Sequence, residues 1–442
     1  MKRFTRMFVS AIASFPGPRL KQLALGFADQ GFSAGGMFLV NVVLARTQTK
    51  QDYGTFALVY SIFTFLGGLH HAVVLEPYTI YGAGRYQSRF PAYSRLMLRS
   101  NLVVGGTLSA LLLLTCWLTR WISPGIPSRS LLGLGLTVSF ILTGTFLRRG
   151  FYIERKPASA AAMSMVFFTA VAVLLWTAVV NRVLDNFSVF LVVALAWVAA
   201  GTLGLSRRSA GQPWNTFLET EPGYWREHWK YSRWVLATAL VYQFMHQGYY
   251  WLVAGFLSVS DVADLKAMYL LIAPVEQVII SLSFLVLPAL AARYAVGDRD
   301  GFLSIWKRYA LGMSGLTLGF ALAVRVAGAR LMHILYAGKF DGLAPLLFVL
   351  ALVPLLTGIG NTFGDAIRAA ERPRLVFFAF VSSAIATFAL GLPLVISLGL
   401  RGAVYGMLLS GATYAGALTL AFRIRLLRQP AHPPLPSLEQ PL

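Results

Sequence analysis

The chain holds one cysteine, Cys116, which excludes an intramolecular disulfide and any cysteine-based zinc site. Charge is scarce: Asp, Glu, Lys and Arg make up 12% of the residues, where a soluble domain carries about 25%. Acids are the scarcer sign, with 17 Asp and Glu against 38 Lys and Arg. No H-E-x-x-H, G-x-x-x-x-G-K-[ST] or C-x-x-C run occurs, so no zinc-protease, nucleotide or dithiol chemistry is signalled. Apolar side chains dominate instead, at 57% with a mean hydropathy of +0.65. So few charges cannot cover that much apolar surface in water, and disorder is excluded by the same figures. The composition predicts an all-α polytopic membrane protein, with lipid as the outer solvent.

Twelve stretches are long and apolar enough to cross as helices: 22–45, 54–81, 96–118, 130–153, 158–180, 188–205, 234–256, 265–292, 305–324, 345–367, 375–397 and 402–422. With the N-terminus cytoplasmic, the inner segments hold 28 of the 38 basic residues and the outer ones 10. That bias predicts both termini inside. It also assigns the net charge of +21 to topology and anionic lipid, with no call for nucleic acid. Residues 1–21 read as a cytoplasmic amphipathic segment, with Phe4, Met7, Phe8, Ala11, Ile12 and Phe15 on one stripe. Residues 22–205 form a first lobe of six spans and 206–233 a linker. Where that linker meets the seventh span, Tyr224–Trp234 (YWREHWKYSRW) reads as an interfacial aromatic belt. A second six-span lobe covers 234–424, and 425–442 is a Pro-rich cytoplasmic tail.

The lobes resemble each other. Asp52 and Asp261 match at an offset of 209, Arg85-Tyr86 and Arg293-Tyr294 at 208, Arg99 and Lys307 at 208, and the Glu154 and Glu371 turns at 217. The jump implies a longer outer loop near Arg325–Ala344. Each lobe starts inside and crosses six times, so the repeats are parallel, an architecture of transporters.

Two runs carry a family resemblance. Asn41–Ile62 (NVVLARTQTKQDYGTFALVYSI) places an LAR helix end before an acidic-aromatic-Gly turn, and His228–Ser258 opens the second half. The chain resembles the Wzx-type flippases of lipid-linked oligosaccharides, in the superfamily that includes MATE exporters and MurJ-like lipid II flippases. Ala263 stands where the first half has Gly54, a departure at the second turn. The resemblance implies a V-shaped pair of lobes that open a central cavity to alternate sides. It further implies a polyprenyl-diphosphate-linked oligosaccharide as substrate, membrane lipids and other polysaccharide-assembly proteins as partners, and no cofactor. A MATE-like proton- or sodium-coupled exporter is the alternative, and a membrane polymerase or ligase a third reading. The major-facilitator layout is disfavoured because Tyr81–Arg95 contains no Asp.

Ionisable residues inside spans are the functional candidates, since a charge at bilayer depth costs about 2.5–3.5 kcal/mol even on insertion scales. Asp29, eight residues from Lys21, lies about 12 Å deep, and Glu76 about 8 Å. The two share a polar lumen if their helices are neighbours. His246 and Glu276 fall near the midplane, with Pro274 placed to bend the helix beside Glu276. These four are the ion-coupling candidates, and the alternative is simple hydrogen bonding between helices. Adjacent His70 and His71 point about 100° apart and cannot face one site. Asp365 and Arg368 read as a local i,i+3 pair. Arg85, Arg99 and Arg149, at inner span ends, are candidates for gripping the lipid diphosphate. The pairs Gly35-Gly36, Gly67-Gly68 and Gly105-Gly106 allow close helix contact. No metal or catalytic residue is expected.

Overall fold

The computed structural model describes residues 17–122, 128–207 and 223–427. Among them every regular element is helical, and twelve helices follow in order. They are α1 Gly17–Thr47, α2 Lys50–Ala83, α3 Phe90–Ile122, α4 Ser128–Ile153, α5 Pro157–Val180, α6 Ser188–Ser206, α7 Tyr224–Phe256, α8 Val259–Ala295, α9 Arg299–Tyr336, α10 Asp341–Ala369, α11 Pro373–Leu398 and α12 Leu400–Phe422. Eleven are apolar enough to cross a membrane. The remaining one, α7, has 33 residues, but Gln243, His246, Gln247 and its charged first turns dilute its hydropathy. The expected amphipathic stripe Phe4–Phe15, linker residues 208–222 and tail residues 428–442 lie outside the described residues.

The chain forms two compact units, Met1–Gln243 and Phe244–Leu442. In unit 1, α3 packs on α4, α2 and α6 on α4, α5 on α6 and α1 on α5. Unit 2 repeats most of that plan, with α9 on α10, α8 and α12 on α10, and α11 on α12.

The repeat extends to single hydrogen bonds. At the start of α2, Thr49 Oγ1 accepts from the Asp52 backbone N–H at 3.1 Å and donates to its carboxylate at 2.6 Å. At the start of α8, Ser258 does the same to Asp261 at the same distances. Each is a hydroxyl N-cap that satisfies an otherwise unbonded donor of the first turn. The turns after α4 and α10 are also alike, with Arg155 (φ 57°) and Glu371 (φ 59°) both left-handed. Lys156 N–H reaches Phe151 O and Arg372 N–H reaches Ile367 O, closing the same C-terminal motif. Arg155 therefore corresponds to Glu371, and the offset there is 216. Pairing the two glutamates, at 217, misplaces the turn by one residue, because backbone conformation sets the equivalence.

Prolines explain where helices depart from α geometry. α2 carries a π turn at His71–Leu75 before Pro77, and α11 one at Thr387–Gly391 before Pro393. Proline lacks an N–H and crowds the carbonyl four residues back, and a wider turn relieves that clash. The Val73 carbonyl, which Pro77 cannot serve, accepts from Ser232 Oγ at 3.4 Å. In α10 the helix pauses between Leu350 and Val353, ahead of Pro354. α8 continues as helix through both Pro274 and Pro288.

The expected outer loop Arg325–Ala344 is mostly helix. α9 runs on to Tyr336, leaving a short turn before Asp341. Ala321, Val324, Gly328, Met332 and Tyr336 are buried along one helical face, while Arg325 and Arg330 stay exposed. Counting charges ended the span too early, whereas the stripe itself was continuous.

Each glycine pair holds one close approach. A Cβ on Gly36 would meet the Phe167 ring at 2.7 Å, one on Gly105 the Ser139 hydroxyl at 2.9 Å, and one on Gly68 would overlap Gln243. Gly67 and Gly106 face open space. Successive residues point about 100° apart, so one of each pair suffices for close packing.

Candidate functional site

In unit 1 the polar residues of five helices converge near the end of α4. Arg148 and Tyr152, four residues apart, share a face of α4, and Arg149 points to the next face. Asp29 of α1 is 0% exposed. It accepts from Tyr152 Oη and from Ser164 Oγ of α5, both at 2.5 Å, and Arg148 lies at 3.5 Å. Arg148, 18% exposed, also donates to Ser164 Oγ at 3.3 Å. Asp29 is a fully engaged counter-ion.

The other end of the cluster is open. Arg149 donates to His71 Nε2 at 3.2 Å. An acceptor nitrogen carries no proton, so the imidazole is neutral with its N–H on Nδ1. Nδ1 faces Glu76 at 3.8 Å, with His71 43% and Glu76 36% exposed. Glu76 accepts from Tyr231 Oη of α7 at 3.0 Å. Arg149 feels the charges of both Glu76 and Asp29, so the two acids do belong to one polar cluster. Two guanidiniums and two carboxylates balance formally, which is what a low-dielectric site needs to hold ionised groups.

His70 takes no part in that cluster. It is buried and bonds Asn101 Oδ1 through Nε2 at 2.7 Å, and Asn101 Nδ2 donates to Thr143 at 3.0 Å. This ties α2, α3 and α4 together. Unit 2 has a similar tie from α8 through α9 to α10: Ser283 and Tyr309 hydroxyls at 3.0 Å, then Tyr309 Oη donating to Asp365 at 2.9 Å. Asp365 also takes Arg368 at 3.1 Å and is 1% exposed. The i,i+3 pair is present as expected, and its acid is buried and held from behind.

Glu276, in unit 2, accepts Tyr269 Oη at 2.7 Å on both carboxylate oxygens. Lys266 acts on it by charge and sits 5.8 Å from the Tyr250 ring of α7. His246 is half-buried one turn before Tyr250 on α7.

The proposed phosphate-gripping arginines fall in two places. Arg149 belongs to the acid cluster. Arg85 is ion-paired with Glu227 at the start of α7. Exposed Arg99 acts by charge on Tyr224, one helical turn from His228. Sequence reasoning missed Arg148, Tyr152, Ser164, Lys266 and Tyr269. The spacing of Arg148 and Tyr152 was a usable signal. Ser164 was not, since a lone serine in an apolar helix has no signature.

No protein-family model and no curated protein sequence matches the chain significantly. Among solved structures, several membrane transporters share its fold. An inward-facing multidrug resistance MATE family transporter of the MOP superfamily superposes with a TM-score of 0.70 at 14% identity, over 91% of this chain and 94% of that one. The lipid II flippase MurJ, in an inward closed conformation, gives 0.68 at 14% identity, covering 91% and 87%. A MOP superfamily transporter from Pyrococcus furiosus gives 0.68 at 13% identity, covering 92% and 96%. The chain has the fold of the MOP superfamily transporters.

Proposed function

We propose that this protein is an alternating-access flippase. It moves polyprenyl-diphosphate-linked oligosaccharide units across a bacterial inner membrane for surface or exported polysaccharide, with both termini cytoplasmic and an ion gradient as driving force. Arg149 carries the reading. It sits half-buried in α4 and spends a donor on a neutral imidazole while Arg148 takes the buried Asp29. A guanidinium so placed keeps donors for a diphosphate, which it can grip with two parallel bonds. Glu76, partly exposed and within reach of His71, supplies a carboxylate that can take up a proton or sodium in one state and release it in the other. A ligand biases such an equilibrium only through unequal affinity for the two states. Positive-inside bias places arginines at span ends generally, but it does not seat one on a neutral histidine within a buried cluster.

The test is leaflet accessibility of a labelled lipid-linked oligosaccharide in proteoliposomes. Wild type should equilibrate the label between leaflets, and Arg149→Ala should slow it at normal insertion levels. If the label stays put while amphipathic cations are exported, the MATE-like alternative replaces this reading.

A further inference from the structure

The first three turns of α7 present two unlike faces. Tyr224, His228 and Ser232, at i, i+4 and i+8, are buried within unit 1. His228 donates from Nδ1 to the Tyr224 carbonyl at 2.8 Å, leaving Nε2 to accept from Tyr93 Oη at 2.9 Å. The rings of Tyr81, Tyr86 and Tyr93 lie 4.6–6.4 Å from its own. Glu227 pairs with Arg85, Tyr231 holds Glu76 and Ser232 serves the carbonyl freed by Pro77. This face packs on α2 and α3.

The opposite face exposes Trp225, Arg226, Trp229, Lys230, Arg233 and Trp234. At 100° per residue, Arg226, Lys230 and Arg233 fall within about 60° of arc, with Trp225 and Trp229 on one flank and Trp234 on the other. The helix then continues to Phe256, through the stretch the sequence marks as the seventh span. Clustered cations beside tryptophans, at the point where a helix enters the bilayer, match phosphate oxygens and the headgroup boundary together.

We infer that this face binds the headgroups of anionic phospholipids and, through Tyr231, sets the position of Glu76. Lipid seated on Arg226, Lys230 and Arg233 holds the helix against α2, which keeps the Tyr231 hydroxyl on the carboxylate. Loss of the lipid loosens the helix and frees Glu76. The lipid composition of the leaflet would thereby tune the cluster, whatever the transported substrate.

The test uses the full chain in nanodiscs of phosphatidylcholine alone or with about a third phosphatidylglycerol. Brominated phosphatidylglycerol should quench wild-type tryptophan fluorescence more than brominated phosphatidylcholine, and Trp225→Phe/Trp229→Phe should remove most of the difference. Each basic residue near an anionic surface contributes about a fivefold affinity gain. The triple variant Arg226→Gln/Lys230→Gln/Arg233→Gln should therefore lose about a hundredfold preference, and 0.5 M salt should mimic it. Phosphatidylglycerol should also raise the unfolding temperature of wild type, less so that of Tyr231→Phe, and not that of the triple variant. Equal quenching by the two lipids, or a triple variant that behaves as wild type, would overturn the lipid site. A Tyr231→Phe variant that keeps the full thermal shift would overturn the link to Glu76. No transported substrate enters these measurements, so their failure is separable from failure of the flippase reading.

Discussion

Neutralising Asp29 and neutralising Glu76 should have opposite consequences, although both are single acids in the same cluster. Asp29 has no exposed surface and takes two hydroxyl donors at 2.5 Å plus the guanidinium of Arg148 at 3.5 Å. In Asp29→Asn one amide oxygen replaces two carboxylate oxygens, its NH₂ confronts a hydroxyl that was donating, and Arg148 loses its counter-ion. Removing one partner of a buried pair costs about 3–5 kcal/mol. For a unit of this size that lowers the unfolding temperature by on the order of 10 °C. Glu76 is 36% exposed and takes one hydroxyl donor, which a glutamine oxygen still accepts, so Glu76→Gln should cost below about 1 kcal/mol. The assay is thermal unfolding of purified protein in one detergent, with gradient-driven transport measured on the same preparations. Asp29→Asn should be unstable, and adding Arg148→Gln should recover more than half the loss, because removing both charges removes the imbalance. Glu76→Gln should be stable yet unresponsive to an imposed gradient. An Asp29→Asn variant as stable as Glu76→Gln would refute the division of roles.

Three further outcomes follow from the same geometry. Gly36→Ala forces a methyl to 2.7 Å from the Phe167 ring and should cost about 1–3 kcal/mol, while Gly106→Ala, facing open space, should be neutral or slightly stabilising by thermal unfolding. At the turn before α6, burial raises the Asp185 carboxyl, but hydrogen bonds from Ser188 and Phe187 and the Arg129 charge outweigh it and hold the group below its ordinary value. The stability this supplies is present above the unfolded-state value and lost as pH falls through the folded one; exposure limits it to below about 1 kcal/mol, and Asp185→Asn should flatten that acid limb. A reporter fused after Arg423 should read as cytoplasmic and one at Thr49 as external, and reversal at either site would sink the topology.

The fold was legible because lipid imposes few solutions: long apolar runs had to be helices, and basic residues marked their ends. The repeat was legible through its caps, since Thr49–Asp52 and Ser258–Asp261 place the same side-chain chemistry at the same helix start. Misreadings came where a charge was taken for a boundary. Arg325 and Arg330 project from a helix that continues, because a long basic side chain can leave its helix while the opposite face stays packed. The cluster was half legible. Its acids stood out against apolar surroundings, but hydroxyl partners on other helices, Ser164 and Tyr152 among them, are set by tertiary contact and leave no local pattern.

An acid inside a span is thus an incomplete signal, because the same residue type serves two physical roles. A carboxylate with no exposure and every oxygen engaged is fixed in place by its donors and can change partners only if those donors move. Asp29 fits that description in unit 1 and Asp365, bonded by Tyr309 and Arg368, fits it in unit 2. A carboxylate with few donors, or with donors from its own helix, can exchange a cation without unpacking the unit. Glu76 meets the first condition. Glu276 meets the second, since Tyr269, its hydroxyl donor, lies seven residues away on α8 and travels with it. Exchange at Glu276 also has an internal competitor, the Lys266 ammonium, which supplies positive charge from the same helix. Under the proposed ion coupling, the number and origin of donors, more than depth in the membrane, would separate the fixed counter-ions from the groups that sense a gradient.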